Sequence, residues 1–148
     1  MARKTVVIGG LSEFGMRLAY ALAKSHNLYI FDPDKELCNK IAGNLGDVSV
    51  IPDELAEESQ GLKDIHPVNV YVAAYDDSAK VLETSLFMKK RHPDALICAV
   101  GGKIGKETNR DVLIEAGVKI IDPYEFFTEQ VTDLIDGIMP SEDEPSND

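Results

Sequence analysis

The chain has little of what would place it outside the ordinary globular class. It holds two cysteines in 148 residues, Cys38 among polar neighbours and Cys98 in an apolar run. A disulfide framework needs more, and a zinc site needs its ligands clustered, so both are expected to be reduced, buried thiols. No apolar run approaches the ~18 residues of a membrane span, and Met1 to Lys4 leads into the first β-rich run without an apolar signal segment. The expectation is a cytoplasmic protein with no membrane insertion. Basic residues are scarce: 15 against 26 acids, for a formal charge of −11. That charge repels phosphate backbones and anionic lipid, and with no basic stripe to offset it nucleic acid is excluded as a partner. No nucleophile with an identifiable base stands in a recognisable setting. Ser12, two residues after Gly10, has no identifiable base, and His26, His66 and His92 fall in separate connections.

An apolar fraction of 44% suits a globular domain, and 148 residues suit one core rather than two. One domain is expected over residues 1–138. Residues 139–148 carry Glu142, Asp143, Glu144 and Asp148 without a basic residue, and are expected to be an acidic, disordered, solubilising tail.

Six β-rich runs alternate with segments of helical period. The runs are Thr5–Ile8, Leu28–Phe31, Val48–Ile51, Val68–Ala74, Ala95–Val100 and Val118–Ile121. Apolar runs bounded by Gly, Pro and Asp suit strands covered on both faces. Helices are expected over Met16–Ser25, over Asp34–Ala42 with a stop at Gly43, over Ser78–Arg91 capped by Ser78, over Arg110–Ala116, and over Tyr124–Ile138. The last carries Phe127, Val131, Leu134, Ile135 and Ile138 on one stripe, expected to cover its own sheet, with a second copy of the chain as the alternative. The alternation predicts an α/β, Rossmann-like, doubly wound parallel sheet of about six strands in the order 3-2-1-4-5-6, with helices on both faces.

The candidate site is the segment Gly9-Gly10-Leu11-Ser12-Glu13-Phe14-Gly15, which follows the first strand and opens a helix. In that setting Gly10 makes the tight turn, Gly15 allows close helix packing, and the helix N-terminus offers N–H groups to an anion. Ser12 takes the place of the middle glycine of a dinucleotide fingerprint. Asp32 closes the second strand, where a carboxylate accepts hydrogen bonds from ribose hydroxyls. Asp76-Asp77 reads as a helix-start pair and Gly101-Gly102 as a turn or as room for a ligand. Tyr71 and Tyr75 read as core rather than as stacking platforms.

With Val7–Gly15, Phe31-Asp32-Pro33-Asp34, Pro52-Asp53, Val72-Ala73-Ala74 and Gly117–Pro123 in hand, the chain resembles the RCK or KTN (TrkA-N) domains that regulate potassium channels and transporters. The resemblance implies an adenine nucleotide (AMP, ADP or ATP) or NAD(H) at the strand C-termini. Gly10, Ser12 and Gly15 would line phosphates, Asp32 the ribose, Asp53 the adenine, and Ala74-Tyr75 would match the family's Ala-Thr. It also implies paired domains, hence a homodimer, and action in trans on a transporter subunit. Glu13 stands where that family usually has a base, and Lys80 and Val100 where it has Asn and Arg. The expected function is therefore nucleotide sensing without catalysis. A ligand-free interaction module and a small NAD-dependent oxidoreductase remain as alternatives.

Overall fold

The computed structural model describes residues 2–101 and 107–138, so the acidic tail and Gly102 lie outside the described residues. The described chain runs β1 (Thr5–Gly9), α1 (Glu13–Leu22), β2 (Asn27–Phe31), α2 (Lys35–Leu45), β3 (Ser49–Ile51), α3 (Gln60–Lys63), β4 (Val70–Ala73), α4 (Ser78–Arg91), β5 (Leu96–Val100), α5 (Glu107–Glu115), β6 (Lys119–Ile121) and α6 (Pro123–Asp136). All the strands pair in parallel in the order β3-β2-β1-β4-β5-β6. Register fixes the site: Gly9 lies opposite Phe31 on one side and Ala73 on the other, so the first three central strands end level with one another.

Strand side chains alternate between two apolar clusters, as a sheet covered on both faces requires. Val7, Phe31, Tyr71 and Ala73 join α4 and α5 through Val81, Met88 and Leu113. Val6, Ile8, Leu28 and Ile30 join α1 and α2 through Ala19, Cys38 and Ile41.

Helix boundaries depart from the sequence reading for local reasons. Ser12 accepts the Gly15 N–H, which starts α1 at Glu13 rather than Met16, and α1 ends at Leu22 rather than Ser25. α2 continues through Gly43 and stops at Gly46, whose φ of 75° suits glycine. Asp77, not Ser78, caps α4 by accepting the Ala79 N–H at 2.9 Å. The short α3 was not anticipated, because four residues show no period, yet its surroundings bury Leu55, Leu62 and Ile65. The largest correction concerns α6. The reading that favoured packing of its stripe onto its own sheet fails: α6 has no buried residue, and Phe127, Leu134 and Ile138 are 67%, 71% and 72% exposed.

A Cβ on Gly15 would collide with the Gly10 carbonyl oxygen, whereas one on Gly43 would meet nothing within 4 Å. Gly15→Ala should cost about 1–3 kcal/mol of stability through backbone displacement, while Gly43→Ala should gain about 0.5–1 kcal/mol through helix propensity. Urea denaturation of the two variants checks this, and equal midpoints would contradict the close packing of α1 on the loop.

Candidate functional site

The turn after β1 is held by backbone on both sides. Gly10 N–H donates to the Phe31 carbonyl at 2.8 Å, and the Gly9 carbonyl accepts the Ala74 N–H at 2.7 Å. Gly10 adopts φ +99°, and a Cβ there would lie 2.6 Å from the Tyr75 nitrogen. Glycine is thus required twice at that position, by conformation and by close approach. Asp32 completes the clamp. Its Oδ2 accepts the Leu11 N–H at 2.7 Å and its Oδ1 accepts the Asp34 N–H at 2.8 Å, with the side chain at the edge of burial. Each oxygen keeps a lone pair in addition to the one used, so the same carboxylate can hold the loop and still accept a hydroxyl.

Ser12 uses its side chain as the N-cap of α1, and the Met16 N–H bonds to its carbonyl. The Glu13 and Phe14 N–H groups have no acceptor among the described residues, which leaves the positive end of the helix open to a ligand. The Glu13 carboxylate points outward, 72% exposed, and pairs with Arg17 at 3.0 Å. It therefore does not face that helix end. Phe14 projects instead to Tyr124 at the start of α6, edge to face with ring centroids 6.3 Å apart.

Between them lies a shallow groove of about 50 Å³, partly open to solvent, lined among others by Ser12, Phe14, Ala74, Tyr75, Val100, Gly101 and Tyr124. It spans the C-terminal ends of β4, β5 and the β6–α6 junction, the sheet edge where open α/β folds bind ligands. Residues Gly9–Gly15, Asp32, Ala74 and Tyr75 are thus brought together, and Gly101 borders the groove. Asp53 is not part of it. That residue is exposed beyond β3, with its carboxylate accepting the Glu54 N–H at 2.8 Å. Lys80 is engaged by Glu54 at 2.9 Å. Asp77 is used as a helix cap.

Tyr75 stands between the two halves of the edge. Its ring lies over Gly9, and its hydroxyl accepts the Leu55 N–H at 3.4 Å. Burial pushes its phenol up to about 12, and the Asp32, Glu54 and Asp53 carboxylates push the same way against the Leu55 hydrogen bond. Tyr71 is fully buried and bonds to Thr84 at 2.7 Å, a core role as read from the sequence. Tyr124 was missed as a groove wall. Its position directly after the last strand, one turn before Phe127, was the available signal.

Parallel strands in this order with a glycine turn at the first strand end define a Rossmann-like domain. The chain belongs to the TrkA-N domain family, which matches it over residues 6–123. Among solved structures it is similar to the TrkA-N domain of the inner membrane protein ybaL from Escherichia coli, at 14% identity and TM-score 0.72, covering 91% of this chain and 98% of that one. It is also similar to a GsuK mutant at 18% identity and TM-score 0.64, covering 90% of this chain and 34% of that one. A third likeness is to prephenate dehydrogenase from A. aeolicus in complex with hydroxyphenyl propionate and NAD+, at 17% identity and TM-score 0.57, covering 82% and 41%. The chain thus spans about a third and two fifths of those last two proteins. No curated protein matches it.

Because Asp32 satisfies two backbone donors, Asp32→Asn should leave one of them without an acceptor and destabilise the ligand-free protein by about 1–3 kcal/mol. Chemical denaturation without ligand reads this; an unchanged midpoint would mean that the carboxylate does not hold the loop.

Proposed function

We propose that the chain is a nucleotide-sensing regulatory domain that binds an adenine nucleotide or NAD(H) over the Gly9–Gly15 loop and acts in trans on a transporter subunit. The observation that carries the reading is the open N-terminus of α1, with Glu13 and Phe14 N–H groups facing a groove at the strand C-termini. Membership of the TrkA-N family and the NAD+ in the complex of the distant dehydrogenase neighbour support the ligand class. The inner-membrane protein that contains the ybaL domain supports the kind of partner. In this reading Gly10, Leu11, Ser12 and Gly15 shape the phosphate cradle, Asp32 takes a ribose hydroxyl, Ala74 and Tyr75 form the floor, and Asp53 borders the outer rim. Ser12 is occupied as the helix cap, which supports binding over nucleophilic catalysis.

The output runs through α6. A ligand seated at the start of α1 displaces Phe14, Phe14 touches Tyr124, and Tyr124 opens the helix whose apolar stripe faces outward. Covering Phe127, Leu134, Ile135 and Ile138 on a second copy makes a homodimer whose packing reports the ligand. No helix among the described residues is long and apolar enough to cross a membrane.

A thermal-shift panel of AMP, ADP, ATP, NAD, NADH, NADP and S-adenosylmethionine tests the sensor. A ligand at 100 times its dissociation constant should add about 2.7 kcal/mol. A shift from an adenine nucleotide is the expected result, and silence from every compound would remove the sensor and favour a ligand-free interaction module. For the assembly, Phe127→Glu with Leu134→Glu should convert dimer to monomer in sedimentation, and a double variant that stays dimeric would remove α6 from the interface.

A further inference from the structure

Gly9 is not held to glycine by its backbone. Among the described residues the glycines of positive φ are Gly10, Gly46 and Gly117, so Gly9 keeps a φ that other residues adopt. What excludes a side chain there is Tyr71. Val7 and Gly9 point to the same face of the sheet, where Tyr71 lies beside Val7 in the neighbouring strand. The Tyr71 ring runs along the strand into the space that a side chain at position 9 would fill. A Cβ on Gly9 would collide with the Tyr71 hydroxyl and lie 3.1 Å from its Cε1. The side chain is fully buried, so its polar end needs a partner. It finds Thr84 on α4, 2.7 Å away. Thr84 gives its own hydrogen to the Lys80 carbonyl at 2.8 Å, which leaves the Tyr71 hydroxyl as the donor to Thr84. A chain of hydrogen bonds thus runs from the first turn of α4 to the underside of the residue that opens the ligand loop.

We propose that Tyr71 is a positioning residue for the ligand loop: its hydroxyl, fixed by Thr84, supports Gly9 from the α4 side and so sets where the backbone of residues 10–14 presents its N–H groups. The inference rests on the sensor reading and adds to it the contact that regulates the site from beneath. The loop is clamped from both faces of the sheet. On one face Gly15 of α1 lies against the Gly10 carbonyl, and on the other Tyr71 and Thr84 join Gly9 to α4. Within the sheet, the Gly10 N–H and the Gly9 carbonyl are tied to Phe31 and Ala74. A site made of backbone N–H groups depends on such support, because a backbone donor cannot swing toward its ligand as a side chain can. The first turn of α4 is itself anchored, since Lys80 pairs with Glu54 in the β3–α3 connection at 2.9 Å. Coupling of this kind is reciprocal. A displacement of that turn moves the loop, and a ligand that fixes the loop fixes the turn.

Amide hydrogen exchange of the ligand-free protein tests this, followed residue by residue in the wild type, Tyr71→Phe, Thr84→Val and Thr84→Ser. Circular dichroism melts confirm that each variant folds. Tyr71→Phe and Thr84→Val should each speed exchange of the Gly10 and Leu11 amides roughly fivefold, the effect of losing one buried hydrogen bond, and leave the amides of β2 and β5 unchanged. Thr84→Ser keeps the hydroxyl and should behave as the wild type. Equal acceleration in β2 and β5 would reduce the pair to core packing and overturn the inference, as would unchanged loop amides. Calorimetric titration with AMP reads the ligand step. The Kd should rise by the same factor, roughly fivefold, in Tyr71→Phe and Thr84→Val, and stay put in Thr84→Ser. Wild-type affinity in Tyr71→Phe would overturn the inference and leave the sensor standing. No binding of AMP to the wild type would overturn the sensor, and selective exchange at Gly10 and Leu11 then decides the support by itself. Should Tyr71→Phe fail to fold, Thr84→Val carries both measurements.

Discussion

The backbone of Gly10 is pinned between three strands, and the site depends on that placement. Its N–H is held by the end of β2, its positive φ turns the chain, and the Tyr75 backbone at the end of β4 leaves no volume for a side chain. From there the rest follows by contact. Leu11 is drawn to Asp32, Ser12 reaches the position from which it caps α1, and Gly15 lets the first turn of that helix rest on the Gly10 carbonyl. The helix dipole is thereby aimed at the sheet edge with its first N–H groups uncovered. A larger residue at position 10 or 15 would move the helix start rather than only loosen the core.

The sequence displayed the sheet well because every strand is an apolar run covered on both faces, so order and strand positions could be read from Thr5–Ile8 to Val118–Ile121. Helix starts were less legible. Asp77 and Ser78 are both capping residues, and which side chain turns back on the helix is settled by backbone geometry that single residues do not encode. Gly43 looked like a stop, yet an exposed helix tolerates a glycine when the next one, Gly46, can take positive φ. The loop and Asp32 were found from spacing alone. The groove was not, since Phe14, Val100, Gly101 and Tyr124 come from four segments that only the parallel register brings to one edge. Tyr75 was visible as an aromatic beyond β4, but its direction toward Leu55 depends on the β3–α3 connection, which has no period to read.

Charge and apolar surface divide the molecule between two tasks. Among the described residues, the basic side chains Arg17 and Lys80 are paired with Glu13 and Glu54. α6 has the opposite character. Its apolar stripe is exposed, with no residue of the helix buried, and exposed apolar patches of this kind mark interaction surfaces. The Phe14–Tyr124 contact joins these regions, and in the proposed sensor it is the contact through which the ligand would act on α6.

A crystal structure of the chain grown with AMP tests the central claim most directly. The account predicts the phosphate at hydrogen-bond distance from the Glu13 and Phe14 N–H groups and a ribose hydroxyl on the Asp32 carboxylate. An empty site at saturating AMP, or a nucleotide bound away from the Gly9–Gly15 loop, would contradict it.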